Sequence, residues 1–265
     1  MKSTHSFLFA ILFMISGCST VPLTGRRQLS LVSDSKIFSL SNESYTTYMK
    51  DAKRSTNFTQ SRMVEQCGKK IQQAVENYFK AQGTPRFLKG YQWEFVLVHN
   101  KTPNAFCLPG GKVVVYDGIL PYTITEAGLA VVLGHEIAHA VAKHSNERIS
   151  HQMLVEAGGS VLGQLLESES SPKNLLISSI YGLGANFAVM LPFSRKQEYE
   201  ADKLGLIFMA MAGYNPEEAA DFWKRMSQNG SKSIPEFLST HPADQKRIAS
   251  IESILPDIMN TYYKK

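Results

Sequence analysis

Apolar side chains recur at helical spacing over residues 34–53 and 61–82. In the second stretch Val64, Ile71 and Val75 lie seven and then four positions apart. Residues at these intervals fall on one face of an α-helix. Both stretches are therefore predicted to form amphipathic helices.

Three short runs rich in β-branched and aromatic residues follow, at residues 93–99, 105–108 and 112–116. Runs of this length and composition are typical of β-strands. The Pro-Gly-Gly turn at residues 109–111 separates the second run from the third, which predicts a β-hairpin. A small β-sheet is therefore expected in the first half of the chain.

A long apolar run at residues 127–142 predicts the next helix. Thr125 is the expected N-cap, and Glu126 in the first turn would favour the positive end of the helix dipole. Later helices are expected at residues 204–212 and 217–226. The predicted fold class is α+β and mainly α-helical, with the small sheet or hairpin placed before this apolar helix.

The N-terminal segment has the features of a targeting signal. Residues 1–17 combine a basic start with an apolar run that is too short to span a bilayer, and small residues precede Cys18. This order resembles the lipidation site of a bacterial lipoprotein, and the alternative is a plain secretory peptide with Cys18 incidental. The predicted organisation is a signal peptide at 1–17, a lipidated, flexible tether at 18–33 and one catalytic domain at 34–265.

Ser19 follows the cysteine, whereas an Asp at this position is the inner-membrane retention signal of enteric bacteria. The expected localisation is therefore the bacterial outer membrane. The domain would lie on the periplasmic side, held to the membrane through the lipidated Cys18.

Composition narrows the function classes. The chain has 265 residues, of which 43% are hydrophobic and 19% charged, as in a globular domain. The formal net charge is +5, but the basic residues are scattered without an aromatic–basic stripe. No nucleic-acid partner is expected from this pattern. Weak attraction to an anionic membrane surface is compatible with the charge but not required by it.

The apolar helix contains the sequence His-Glu-Ile-Ala-His. His135 and His139 lie four apart, so one helix face can offer two imidazole nitrogens to one metal ion. Glu136 follows at the next position, close enough to act as general base on a water at that metal. The alternative is an ordinary helix with two polar positions, so the interpretation requires a third ligand elsewhere in the chain.

A candidate third ligand lies in the charged stretch at residues 195–202. Glu198 and Asp202 are four apart on one helix face, so Glu198 could bind the metal while Asp202 orients a ligand histidine. Glu200 is the rival ligand and points about 160° away from Glu198. A solvated charged face is the alternative interpretation.

The other histidines are not expected to be ligands. His144 lies five residues after His139, or about 140° round a continuous helix, so it should face elsewhere. We expect His144 and His151 to be surface groups or partners of the ligands. His99 ends a predicted strand, and the helix pair offers better ligands.

Residues 174–194 contain no charged side chain and reach the length of about 20 residues that a transmembrane helix needs. A single crossing would place His139 and Glu198 on opposite sides of the bilayer and divide the metal site. This segment is therefore predicted to be a core helix that can also form an apolar lid or touch a membrane surface.

Several separated motifs resemble zinc metallopeptidase family 48, the HtpX/BepA/LoiP type. They are the His-Glu-x-x-His motif, Glu198 with Ala201 and Asp202, His241 with Pro242 and Arg247, and Asn104-Ala105-Phe106 with the Pro-Gly-Gly turn. The resemblance covers about residues 60–255. It implies a zincin-type (gluzincin) metalloprotease domain.

The resemblance also implies roles for individual residues. One Zn²⁺ per chain would be bound by His135, His139 and Glu198, with Glu136 as general base and Asp202 behind the ligands. His241 would either stabilise the transition state or close over the zinc as a fourth, inhibitory ligand.

A sheet edge can also bind a substrate backbone as an added strand. Asn104, Ala105 and Phe106 are the expected substrate-binding residues, and a purely structural hairpin is the alternative.

The predicted function is that of a membrane-anchored periplasmic zinc endopeptidase whose substrates are misfolded or misassembled envelope proteins. The alternative is a lipid-anchored chaperone or assembly factor in which His241 keeps proteolysis latent. An exopeptidase would need a site for the substrate terminus, and no motif indicates one. The chain ends at Lys265 without the helical repeats of BepA, so docking through such repeats is not expected.

Two further cysteines, Cys67 and Cys107, could pair in an oxidising compartment or remain buried free thiols. Neither lies in a Cys-x-x-Cys spacing, so they are not expected to bind a metal. The sequence does not indicate an oligomeric state.

Overall fold

A computed structural model describes residues 18–162, 195–228, 236–242 and 245–264. The strands are β1 (Cys18–Thr20), β2 (Arg27–Leu29), β3 (Glu94–Val98), β4 (Ala105–Leu108) and β5 (Lys112–Tyr116). The α-helices are α1 (Asp34–Asp51), α2 (Phe58–Ala81), α3 (Leu120–Thr123), α4 (Glu126–Val141), α5 (His144–Leu162), α6 (Arg195–Met211), α7 (Glu218–Gln228), α8 (Glu236–Thr240) and α9 (Gln245–Thr261). The predicted fold class, α+β and mainly helical with a small sheet, is confirmed.

The central sheet has the strand order β3-β5-β4. Strand β3 runs parallel to β5, and β4 runs antiparallel to it through the predicted hairpin. Gly110 and Gly111 both have positive φ values, of 91° and 97°, which explains why glycine occupies this turn. Strand β4 lies at an edge of this sheet, next to the helix that carries the His-Glu-x-x-His motif.

Successive side chains of a strand point to opposite faces of the sheet, so each face packs into a different hydrophobic cluster. Phe106 and Val114 pack with Tyr45 of α1 on one face, whereas Ala105 and Val115 join the main core with α2 and α4 on the other. The sheet is thus buried between helices. This arrangement fixes β4 against α4.

Helix α4 is buried around its whole circumference from Gly128 to Val141. It begins at the predicted cap, where the Thr125 side chain accepts a hydrogen bond from the Gly128 amide. Burial on every side explains why the apolar run in the sequence lacks a clear polar face.

Helices α4 and α6 meet at two glycines. A Cβ atom added at Gly205 would lie 2.8 Å from the carbonyl carbon of Gly134, and one added at Gly134 would lie 2.8 Å from the carbonyl oxygen of Gly205. The backbones of the two helices therefore touch, which larger residues would prevent. This contact sets the distance between the two helices that supply the candidate metal ligands.

The segment at 18–33, expected to be a flexible tether, is instead packed against the domain. Strands β1 and β2 pair antiparallel, with Cys18 opposite Leu29. Val21 in their connecting turn is fully buried in the main core. We call residues 18–29 the N-terminal hairpin. A residue of its turn is thus part of the core, whereas the sequence predicted a flexible linker here.

Cys67 on α2 and Cys107 on β4 are both buried free thiols, so the disulfide alternative is wrong. The expected signal peptide at 1–17 and the expected core helix at 174–194 lie outside the described residues. Among the residues that the structure describes, no helix is long and apolar enough to cross a membrane.

The close contact between the two glycines predicts that a Gly→Ala substitution lowers the free energy of unfolding, where it ordinarily raises it. Replacing a helical glycine by alanine ordinarily stabilises a protein by about 0.5–1 kcal/mol. We expect Gly205→Ala instead to lower the free energy of unfolding by about 1–3 kcal/mol, because the added methyl group overpacks the α4–α6 contact. Urea denaturation of the metal-free protein measures this change.

Lys203→Ala is the matched control, because Lys203 is exposed on the same helix. It should change the unfolding free energy by less than about 0.5 kcal/mol. Equal or greater stability of Gly205→Ala would show that the glycines do not set the helix separation.

Candidate active site

Four buried side chains from three parts of the chain converge on one point. Their candidate ligand atoms lie within 4.8 Å of one another and belong to His135, His139, Glu198 and His241. The first two are on α4, the third is in the first turn of α6, and the fourth follows α8. The structure therefore brings together the three predicted ligands and the histidine expected to act beside them.

The spacing of these atoms is close to that around a tetrahedral metal ion. His135 Nε2 lies 3.0 Å from His139 Nε2, Glu198 Oε2 lies 3.4 Å from His135 Nε2, and Glu198 Oε1 lies 3.4 Å from His139 Nε2. Ligand atoms about 2.0–2.2 Å from a tetrahedral zinc stand roughly 3.3–3.6 Å from each other, so the two imidazole nitrogens would separate by a few tenths of an ångström around the ion. Two imidazoles and a carboxylate are also the donor types of catalytic zinc sites.

His241 occupies the position of a fourth ligand. Its Nδ1 atom lies 3.2 Å from His135 Nε2 and 3.2 Å from Glu198 Oε1. The ring packs on Phe237, with ring centroids 4.8 Å apart, and the side chain is buried. These distances place His241 together with the three candidate ligands, and the two roles given for it above stay predictions.

Asp202 lies behind the ligands, as predicted. Its Oδ1 atom is 3.0 Å from His135 Nδ1, so an N–H at that nitrogen would donate to the carboxylate and leave Nε2 free for a metal. Burial alone would raise the pKa of Asp202, but the charge and hydrogen bonds of Arg247 hold it below its usual value. Asp202 therefore stays ionised and orients the His135 ring.

Arg247 connects the carboxylates of the site. It donates two hydrogen bonds to Asp202, at 2.6 and 2.7 Å, and its Nη1 atom lies 2.9 Å from Glu198 Oε2. Its guanidinium lies 3.9 Å from the ring centroid of Trp223. The sequence placed Arg247 in the motif without a role, and it did not indicate Trp223 at all.

Burial by itself would also raise the pKa of Glu198. The neighbouring charges of His241 and Arg247 hold that pKa well below the usual value, so the carboxylate is ionised and available to a metal.

Glu136 faces the same centre from the next position on α4. Its Oε1 atom accepts no hydrogen bond from the described part of the chain and lies 3.3 Å from His241 Nε2. Burial raises the pKa of Glu136 to about 7, although the backbone N–H of Cys107 partly opposes this rise. A buried carboxylate with a free oxygen beside the ligand set is suited to take up a proton.

The predicted substrate-binding residues lie on or next to β4. The Asn104 carbonyl accepts a hydrogen bond from the Tyr116 amide, and the Phe106 ring packs on Tyr48 and Tyr116. All three side chains, those of Asn104, Ala105 and Phe106, are buried. Their side chains thus pack into the domain, and within the described residues the backbone edge of β4 is where a substrate strand could add. That role stays a prediction.

His144 is placed differently from the helical-wheel expectation. Helix α4 ends at Val141, Lys143 takes a φ of 57°, and α5 begins at His144, so the helix is not continuous. The turn brings His144 back to His139, with 2.8 Å between their Nδ1 atoms. Of the two predicted roles, it is thus a partner of a ligand, whereas His151 is exposed.

Glu200, the rival ligand, points away from the metal centre and lies 2.9 Å from His144 Nε2. It also accepts hydrogen bonds from Thr24 and Arg26 of the N-terminal hairpin. Burial opposes ionisation, but the hydrogen bonds from His144, Thr24 and Arg26 lower the pKa of Glu200 to about 2. Sequence reasoning missed the two hairpin residues, because no motif connects them to the site. Cys18, the expected lipidation site, is exposed at the start of β1.

Two histidines and a glutamate on one buried helix, completed by a glutamate from a second helix, define a metallopeptidase of the zincin type. The family comparison agrees with the geometry. The chain belongs to Peptidase family M48, whose model matches residues 65–255. The prediction of the family, and with it of a metalloendopeptidase class, is confirmed.

Individual relatives show how much of the chain is similar to known members of this family. "Mitochondrial metalloendopeptidase OMA1" of Schizosaccharomyces pombe is 42% identical over 63% of this chain and 48% of its own length. The protein of the same name from Saccharomyces cerevisiae is 31% identical over 98% of this chain and 77% of its own length. The "Beta-barrel assembly-enhancing protease" of Escherichia coli is 29% identical over 59% of this chain and 33% of its own length. The chain thus spans about half the length of the first of these relatives.

The expected localisation on the bacterial outer membrane is wrong by this comparison. The relatives that align with nearly all of this chain include mitochondrial proteins of yeast and human, whereas the bacterial relative aligns with a smaller share. The accompanying predictions of a lipoprotein and of a periplasmic domain receive no support. The narrower likeness to the HtpX/BepA/LoiP type is likewise not confirmed.

Arg247 gives a stability prediction. In Arg247→Met, the buried carboxylates of Asp202 and Glu198 lose their guanidinium partner. We expect the free energy of unfolding of the metal-free protein to fall by about 3–5 kcal/mol, the range for breaking a buried ion pair. Denaturation in the presence of a chelator measures the loss.

Arg225→Met serves as comparison, because Arg225 pairs with Glu218 in a partly exposed position. Its cost should stay near or below about 1 kcal/mol. A loss for Arg247→Met no larger than that of Arg225→Met would contradict the assigned role of Arg247.

Proposed function

We propose that this protein is a zinc endopeptidase that cleaves polypeptides held in extended conformation. The observation that carries the proposal is the position of Glu136 Oε1, which accepts no hydrogen bond from the described residues, beside a donor set suited to zinc, made by His135, His139 and Glu198. Membership of Peptidase family M48 supports the same reaction class.

His135, His139 and Glu198 would hold the ion, and Asp202 would keep the His135 ring in the orientation seen here. A bound zinc ion would lower the pKa of a water molecule towards 7 and polarise the scissile carbonyl. Glu136 would take the proton of the attacking water on Oε1 and later donate it to the leaving amine. Burial of the centre strengthens each of these interactions because little water competes.

The substrate is proposed to bind along the outer edge of β4. Within residues 18–162 this strand pairs only with β5, and its Cys107 amide faces Glu136. A substrate segment added to this edge would run past the catalytic carboxylate. Such binding requires a locally unfolded chain, so misfolded or misassembled proteins are the proposed substrates.

His241 supports a second candidate function. Because its ring takes the fourth ligand position, a protein in this state would bind clients without cutting them. Proteolysis would then be latent, and the protein would act as a chaperone or assembly factor. Rescue of a deletion strain by Glu136→Gln as complete as that by the wild type would favour this function over proteolysis.

The central prediction concerns Glu136. Glu136→Gln should lower the rate of cleavage of an unfolded model protein by at least about 10²-fold, the lower end of general base catalysis. Bound zinc should remain, because Glu136 is not in the ligand set. Gel-based proteolysis assays and metal analysis of the same sample measure the two quantities.

Glu65→Gln provides a matched control, since Glu65 is exposed on α2 and pairs at the surface with Lys69. It should retain wild-type activity. Full activity of Glu136→Gln would refute the proposed mechanism.

The closing role of His241 makes a separate prediction. His241→Ala should weaken zinc binding and at the same time raise the cleavage rate, because the fourth position becomes available to water and substrate. Zinc competition with a chromophoric chelator and proteolysis assays give the two values. Reduced cleavage with unchanged zinc affinity would instead assign His241 to transition-state stabilisation.

A further inference from the structure

A continuous set of hydrogen bonds leads from ligand His139 to the N-terminal hairpin. His139 Nδ1 lies 2.8 Å from His144 Nδ1, and His144 Nε2 lies 2.9 Å from Glu200 Oε2. Glu200 then accepts hydrogen bonds from Arg26 Nε, at 2.7 Å, and from the Thr24 hydroxyl. His139, His144 and Glu200 are buried, and the side chain of Arg26 is 11% exposed.

The donors and acceptors of this set agree with a metal at His139 Nε2. A metal at Nε2 leaves the proton of neutral His139 on Nδ1, which can donate only if His144 Nδ1 accepts. The proton of neutral His144 is then on Nε2 and donates to Glu200. One arrangement of protons thus satisfies every bond from His139 to the carboxylate.

The hairpin holds the far end of this set. Arg26 lies between two carboxylates, with Nε on Glu200 and both terminal nitrogens on Glu147, at 2.7 and 2.9 Å. Gln28 fixes the hairpin further by donating to the Ala142 carbonyl, directly after the metal helix. Arg26 and Thr24 therefore hold the Glu200 carboxylate from the side opposite to His144.

The family match begins only at residue 65, so these two residues lie outside the part of the chain to which the family's chemistry is assigned. Asp202 fixes the ring of the other ligand histidine, His135, from within the matched part. Asp202 thus orients His135 directly. Glu200 acts on His139 through His144 and is itself held by residues before the matched part.

We propose that Arg26 and Thr24 of the N-terminal hairpin are positioning residues of the metal centre. By holding Glu200 they fix His144, and through His144 they fix the ring of ligand His139. This inference rests on the metal site of the proposed function. Loss of a hydrogen-bond partner behind a ligand histidine typically weakens metal binding by about 10–100-fold.

The test measures zinc binding to the full chain directly. The zinc dissociation constant is determined by competition with a chromophoric chelator for the wild type, Arg26→Met, Thr24→Val and Thr24→Ser. Arg26→Met should weaken zinc binding by up to about 10-fold, the lower end of the range for a direct partner of a ligand histidine, because Glu200 and His144 lie between Arg26 and His139. Thr24→Val keeps the shape but removes the hydroxyl and should weaken it less, whereas Thr24→Ser keeps the hydroxyl and should restore wild-type affinity.

Arg27→Met is the matched control, because Arg27 is the neighbouring residue on β2 and is exposed. It should bind zinc like the wild type. A second readout is the visible absorption of the Co²⁺-loaded protein, which reports ligand geometry. The bands should shift in Arg26→Met and Thr24→Val and stay unchanged in Arg27→Met and Thr24→Ser.

The outcomes separate this inference from the proposed function. A wild-type protein that binds no zinc overturns both. Wild-type zinc affinity and unchanged Co²⁺ spectra in Thr24→Val and Arg26→Met overturn the inference alone.

If Arg26→Met does not fold, the comparison of Thr24→Val with Thr24→Ser decides. A Thr24→Val variant that lowers the melting temperature of the metal-free protein without changing zinc affinity shows a merely structural hairpin and also overturns the inference.

Discussion

The site depends first on the contact between α4 and α6. Gly134 immediately precedes the candidate ligand His135, whereas Gly205 lies two helical turns, about 10 Å, after the candidate ligand Glu198. The crossing therefore adjoins the site on α4 and holds α6 at a fixed distance from it. Backbone contact allows the short Glu198 side chain to reach the two histidines. A wider separation would move the third ligand away from the first two, whatever residues the motif contained.

Charge balance is the second constraint. Three carboxyl groups, those of Glu136, Glu198 and Asp202, are buried near the Arg247 guanidinium. Burying unpaired charges costs several kcal/mol each, so carboxylates that ionise here need positive charge nearby. Arg247 supplies part of that charge, and a divalent cation at the ligand set would add more. The protein therefore holds a site whose electrostatics favour metal binding as well as metal-dependent chemistry.

The sequence predicted those parts of the fold and site that depend on local patterns. The hairpin between β4 and β5, the cap at Thr125 and the paired histidines follow from turn chemistry and helical spacing alone. His144 was predicted to face away because its angle was calculated for an unbroken helix. The positive φ at Lys143, a residue with no special preference for it, cannot be deduced from spacing.

The N-terminal hairpin shows why composition was least informative there. Residues 18–33 begin with the small and polar residues Cys18, Ser19 and Thr20 and follow an apolar run, so they were predicted to be a linker after a targeting signal. The turn within them nevertheless contains the buried Val21 and the ion-paired Arg26. Each residue is unremarkable by itself, and its role follows only from the carboxylates of α5 and α6 that fold against it. A short segment without a motif can therefore be part of a buried electrostatic network when its few charges meet partners distant in sequence.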